Sequence, residues 1–182
     1  MPILPAETDL FPDDLLEQPA GAAPWWAMYT RSRQEKQLMR RLLQLEVGFY
    51  CPTISRRYRS PAGRVRTTHL PLFPNYVFVR GDNEARYEAV STGTISRCLE
   101  VEDADLLVAD LAQIRRLIAT GEPLTPEARF EPGARVRVRN GQFAGFEGIV
   151  LKRHGETRLL IDVRFMNQGA SVLLDDCQVD PL

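Results

Sequence analysis

The sequence predicts two domains of different class. The first is an α/β (α+β) domain with a mainly antiparallel sheet flanked by helices; the second is a small all-β barrel. Three observations carry this. Strand-like runs alternate with amphipathic helical stripes from Trp25 to about residue 120. The stretch "GEPLTPEARFEPG" (121–133) then interrupts all periodicity with three prolines and two glycines. Beyond it, only short alternating runs separated by glycine turns follow. The expected organisation is a disordered acidic, proline-rich tail over 1–24, a first domain over 25–120, a linker over 121–130 and a barrel over 131–182.

Each element has a local reason. Residues 1–24 hold prolines, small residues and acids without period, which predicts a disordered or loosely attached tail, with Leu10, Phe11, Leu15 and Leu16 as its one weak docking signal. "WWAMYT" (25–30) reads as a strand. A helix is expected over 32–48, with Ser32 and Glu35 as a capping box, Leu38, Leu42 and Leu45 on one stripe, and Gly48 as the stop. "FYCPTISRRYR" (49–59) and "VRTTHL" (65–70) are expected strands joined by the turn "SPAGR". In "LPLFPNYVFVR" (70–80), alternation puts Val77 and Val79 on one face of a strand and Tyr76 and Phe78 on the other. Both faces are apolar, so the aromatics either enter a core or meet a partner, and the pattern alone leaves both open. A short helix (83–92), a strand (94–101) and a helix (103–121) complete the first domain; Asp103 and Asp105 open the last helix and Arg115 and Arg116 lie toward its end. In the barrel, strands are expected over 134–140, 149–154, 157–165 and 171–179.

The net charge of −1 conceals segregation. Residues 25–80 carry eleven Lys and Arg against two Glu, a net of +9, whereas residues 81–128 carry four against ten acids, a net of −6. A basic block of this kind predicts a polyanion-facing patch. Cys51, Cys98 and Cys177 are isolated and match no zinc or disulfide spacing, so reduced cysteines in a cytoplasmic protein are expected. No apolar run reaches the roughly 20 residues of a membrane helix, and the N-terminus lacks the pattern of a secretory signal. No paired carboxylates, nucleophile–base set, metal-ligand spacing or phosphate loop stands out. Neither an enzyme nor a cofactor is expected.

Two stretches resemble a known family. "RFEPGARVRVRNGQFAGFEGIV" (129–150) is similar to the KOW motif that opens the SH3-like C-terminal barrel of NusG transcription factors. "WWAMYTRSRQEKQLMRRL" (25–42), followed by "PLFPNYVFV" (71–79), is similar to the NusG N-terminal domain, and this half looks closest to the RfaH-type specialised paralogs. The resemblance implies a monomeric elongation or antitermination factor. Tyr29, Phe73, Tyr76 and Phe78 would present an apolar patch to the clamp helices of the RNA polymerase β′ subunit. Arg31, Gln34 and Arg41 would touch the non-template DNA strand, although Gln37 stands where the RfaH type is basic. "AVSTGTI" (89–95) would lie near the β-subunit gate loop but lacks the RfaH-type threonine run. Phe165, Met166 and Gln168 would form the loop that meets the ribosomal protein NusE or the terminator Rho, with Gln168 replacing an arginine; the pattern leaves Phe165 open as a barrel residue. The glycines at 141, 145, 148, 155 and 169 favour a constitutive barrel over a helical hairpin, which would leave Tyr76 and Phe78 unmasked. Two other readings stay open: a general NusG that couples polymerase to Rho or the ribosome, and a ribosome-associated RNA-binding KOW protein.

Overall fold

A computed structural model of the chain describes residues 6–128, 133–175 and 178–182. They form two compact units, 1–104 and 105–182. In chain order the first holds β1 (Leu10–Phe11), β2 (Trp25–Thr30), α1 (Glu35–Gln44), β3 (Gly48–Tyr50), β4 (Thr53–Arg59), β5 (Val65–Pro71), β6 (Tyr76–Arg80), α2 (Asn83–Ser91) and β7 (Ile95–Glu100). Five strands pair antiparallel in the order β1-β3-β6-β2-β7, and β4 and β5 pair only with each other. The strand expected over 49–59 is therefore two. It breaks at Cys51 and Pro52, so that β3 joins the main sheet and β4 leaves it.

As the alternation predicts, Val77 and Val79 enter a core with Trp26, Met28 and Phe49 of the sheet, Leu38, Met39 and Leu42 of α1, and Ala89 of α2. Cys51 is in the same cluster, and burial pushes its thiol pKa well up. Cys177 lies outside the described residues.

The capping box does not form. α1 starts at Glu35, and Gln34 at its N-cap makes no side-chain cap bond. Glu35 is buried, and its Oε1 accepts the Asn75 N–H at 2.8 Å. The reason lies in the turn before β6. Tyr76 N–H donates to the Phe73 carbonyl at 3.2 Å, and Asn75 has φ +69° directly after Pro74. A proline followed by a left-handed Asn is the type II arrangement. The inward amide of Asn75 needs an acceptor, and Glu35 supplies it. The helix also ends earlier than expected. Glu46 takes the left-handed position at φ +54°, Val47 N–H donates to the Leu42 carbonyl, and Gly48 already belongs to β3.

The expected tail is the largest correction in this unit: residues 6–24 are docked. Leu10 and Phe11 pair with Tyr50 and Phe49, and Leu10, Leu15, Leu16 and Ala20 are buried. The Asp9 carbonyl accepts the Cys51 N–H at 2.8 Å, and its carboxylate accepts the Thr53 hydroxyl at 2.9 Å. Glu7 holds the Arg40 guanidinium through both oxygens, at 2.7 and 3.0 Å. Arg80, buried at the end of β6, donates to the Gln18 side-chain oxygen and the Pro19 carbonyl, both at 2.7 Å. A buried guanidinium requires acceptors, and this segment provides them.

The second unit starts with α3 (Ala104–Ala119), followed by β8 (Thr125–Ala128), β9 (Arg135–Val138), β10 (Glu147–Arg153), β11 (Glu156–Val163), β12 (Gln168–Leu173) and β13 (Val179–Pro181). The strands pair antiparallel in the order β13-β9-β10-β11-β12-β8. This is the expected barrel, with Val136, Val138, Phe143, Phe146, Leu159, Ile161, Val163 and Val172 inside. Two glycines are sterically required. A Cβ at Gly148 would lie 2.2 Å from the Leu160 carbonyl oxygen, and one at Gly169 would lie 2.4 Å from that of Ile161. Part of the expected linker is strand, since residues 125–128 pair with β12. The strand expected over 171–179 resolves into β12, ending at Leu173, and β13, starting at Val179.

α3 is joined to the barrel through polar contacts. Asp110, fully buried, accepts the Arg164 backbone N–H at 3.0 Å and its guanidinium at 2.6 and 3.1 Å. Gln113 Oε1 accepts the Glu147 N–H at 2.9 Å, and Arg116 lies over the Phe146 ring at 4.5 Å.

Candidate functional site

The expected aromatic patch is built by register. Tyr29 in β2 stands opposite Tyr76 in β6, with ring centroids 5.2 Å apart at 78°. Two residues along β6, Phe78 lies on the same face, 6.4 Å from Tyr76 and nearly parallel to it. Arg97 of β7 flanks Tyr29 on its other side. Burial, then the neighbouring Tyr29, raises the pKa of Tyr76, and Arg97 opposes them.

These aromatics differ in exposure. Tyr29 is 36% exposed and Tyr76 half-buried, but Phe73 and Phe78 are buried, at 2% and 0%. The expectation of an outward, unmasked Phe78 therefore fails. Phe78 stands mid-sheet between Ala27 and Tyr50, which are themselves buried. Alternation assigned its face correctly and said nothing of what covers that face. Phe73 is enclosed at the start of the type II turn.

Of the polar residues, Arg31 follows the end of β2 that carries Tyr29, whereas Arg41 lies on α1, which packs against the face of the sheet opposite the aromatics. Arg31 continues β2 and donates its N–H to the Thr94 carbonyl at 2.8 Å. Gln34 N–H donates to the Arg31 carbonyl at 3.1 Å, which sets both in one turn. Arg41 follows Gln34 by seven residues, which on a helix is the same face about 10 Å further on. It lines a shallow groove of ≈ 390 Å³ between α1 and α2 with Gln44, Leu45, Tyr87 and Glu88. Arg31 and Arg41 are exposed. The 89–95 segment is the ordered exit of α2, where the Thr92 and Thr94 hydroxyls lie 2.8 Å apart.

In the second unit, Phe165 and Met166 occupy a single 3-10 turn, Arg164–Met166, closed by Asn167 at φ +49°. Phe165 is 36% exposed, so it is not a barrel-core residue, and Gln168 begins β12 half-buried. The Asp110–Arg164 pair fixes this turn from α3. Sequence reasoning missed that pair. Its visible signal was an aspartate beside the stripe Leu107, Leu111 and Ile114, where an acid calls for a buried partner. Among the described residues, no group of three or more His, Cys, Asp or Glu could hold a metal ion, and no helix is long and apolar enough to cross a membrane.

Comparison with known proteins places this architecture. The family model "Transcription termination factor nusG" matches residues 23–118, more than half of the chain. The chain belongs to the NusG family. A KOW motif model matches residues 132–162, the start of the barrel. The "Transcription termination/antitermination protein NusG" of Pseudomonas aeruginosa is 28% identical over 178 residues, spanning 87% of this chain and 98% of that protein. The protein of the same name from Escherichia coli K12 is 31% identical over 129 residues, 65% of this chain and 69% of that one. Among solved structures, a chain of the MjSpt4:Spt5 complex in conformation B aligns with a TM-score of 0.30 at 15% identity, over 87% of this chain and 97% of that one. That likeness is too low to carry an argument. The NusG match runs through α3, past the division at residue 104 between the two compact units.

Proposed function

We propose that the chain is a transcription elongation and antitermination factor of the specialised, RfaH-like kind. Membership of the NusG family makes it a transcription termination/antitermination factor that binds RNA polymerase. The finer reading is that Tyr29 and Tyr76 dock on the β′ clamp helices, with Phe73 and Phe78 as the buried support beneath them. The observation that carries it is the Tyr29–Tyr76–Phe78 ladder, in which Tyr29 is open to solvent and Phe78 is fully buried beneath the pair. Aromatic anchors of large area and few rotors suit the centre of an interface. Arg31, Gln34 and Arg41 would hold the displaced non-template strand, and residues 89–95 would approach the gate loop. Phe165, Met166 and Gln168 would offer a second contact, to NusE or Rho, and the protein would act as a cytoplasmic monomer with the domain boundary near residue 120. The near-complete span of the Pseudomonas aeruginosa NusG by this chain favours a second reading, a general NusG acting at most transcription units. Genome-wide occupancy separates the two: recruitment at a few defined pause sites supports the specialised factor, and uniform recruitment the general one.

Affinity measurements test the site. Tyr76→Ala is expected to weaken binding to an isolated clamp-helix fragment by about 2 kcal/mol, as truncated aromatic hot spots do. Arg31→Ala and Arg41→Ala are expected to leave that affinity unchanged. They should weaken recruitment to a paused complex and reduce its log–log salt slope by about 0.7 per lost single-strand phosphate contact. Unchanged recruitment and slope would make this a merely solvated helix face.

A further inference from the structure

We propose that the β4–β5 ribbon is a second nucleic-acid site, which takes the phosphate backbone of double-stranded DNA. From Val47 to Gly81 the sequence contains no Asp or Glu. The ribbon within this stretch carries Arg56, Arg57, Arg59, Arg64 and Arg66, all exposed. Several arginines elsewhere are matched to carboxylates, among them Arg40 to Glu7, Arg135 to Asp162, Arg139 to Asp180 and Arg164 to Asp110. Among the described residues, none of the five ribbon arginines makes an ion pair. Five uncompensated guanidinium groups on one two-stranded element repel each other, and an anionic ligand relieves that repulsion.

The register decides the shape of the site. Arg56 stands opposite Thr68, Arg57 opposite Thr67, Tyr58 opposite Arg66 and Arg59 opposite Val65. Side chains alternate, so Arg57 and Arg59 share one face with Thr67. Arg56, Tyr58 and Arg66 share the other with Thr68. The tip is closed by Ser60 N–H on the Arg64 carbonyl at 2.9 Å, with Gly63 at φ +74°, which keeps Arg64 in step with the second face. Both faces are thus basic. The major groove is about 12 Å wide and admits a two-stranded β-ribbon. A ribbon set edgewise in it turns each face toward one phosphate wall. Hydroxyls at Thr67, Thr68 and the 48%-exposed Tyr58 add hydrogen-bonding groups to both. A protein partner fits less well, because the large apolar side chains exposed on the ribbon are limited to Tyr58, Val65 and Leu70 and build no contiguous anchor.

This site does not depend on docking to polymerase, so its test uses the full-length chain alone. Anisotropy of a labelled duplex of about 20 base pairs is measured over a salt series beside a single strand of the same length and duplex RNA. The variant with all five arginines changed to Gln should melt like the parent chain, since every site is exposed. It is expected to lose at least about tenfold in duplex-DNA affinity, with a log–log salt slope shallower by about 0.9 for each lost phosphate contact. The double variant Arg56→Gln/Arg66→Gln should fall between. Duplex binding by the variant with unchanged affinity and slope would overturn the proposal. So would no duplex binding by the parent chain, or a loss confined to the single strand or to duplex RNA.

Discussion

Phe78→Ala is expected to destabilise the first unit by about 3–5 kcal/mol, the range for truncating a buried phenylalanine. The ring is fully buried between Ala27 and Tyr50 in the middle of the sheet, so its removal leaves a cavity that paired strands cannot collapse around. Tyr76→Ala, two residues away on the same face, removes a half-buried ring at the sheet margin and should cost stability far less. Both tryptophans, Trp25 and Trp26, lie in β2, so their fluorescence in urea reports on this unit directly. The two variants should therefore separate two roles: Phe78 holds the platform and Tyr76 meets the partner. Equal stability losses for the two variants would contradict that division.

Removing residues 1–22 is expected to have the second large effect, a loss of more than about 4 kcal/mol. Burying a leucine contributes about 1.5–3 kcal/mol, and Leu10, Leu15 and Leu16 are all buried here. The deletion also strips Gln18 and Pro19 from Arg80, leaving a buried charge without its acceptors, which costs about 3–5 kcal/mol where it has been measured for ion pairs. Relaxation and water entry will offset part of the sum. Adding Arg80→Leu to the truncated chain should recover some of the loss, because it removes the stranded charge. Tryptophan-detected urea melts of the three proteins check this; a truncated chain that melts like the full one would show that the segment is only draped on the sheet.

Much of this protein could be read from its residues, and the misses have physical causes. The strand at Tyr76 and the core side of Val77 and Val79 followed from period-two alternation, and the barrel from alternating runs punctuated by glycines that only glycine can fill, at 148 and 169. The docked N-terminal segment was missed because it has no period. It is held by single leucines, one short strand and backbone carbonyls, and composition registers none of these. Its traces were the apolar group Leu10, Phe11, Leu15 and Leu16, and Arg80, a charge closing an apolar strand. The capping box failed because Glu35 had a stronger claim: a buried turn amide forty residues away, invisible to local pattern. At the site itself, alternation identified the face shared by Tyr76 and Phe78, whereas exposure depends on what packs over that face. The basic block was legible as charge, but its division into a helix-turn cluster at Arg31 and Arg41 and a separate ribbon required the break at Pro52.

Under the proposed function, the Tyr29–Tyr76 face would recruit this factor to polymerase and thereby sustain elongation. Single-round transcription with purified RNA polymerase on a template with a defined pause tests it most directly. The full-length protein should shorten the pause, and the Tyr29→Ala/Tyr76→Ala variant, confirmed folded by its tryptophan melt, should leave the pause as it is with polymerase alone. A folded double variant that shortens the pause as well as the parent chain, or a parent chain without effect on any pause, would contradict the account.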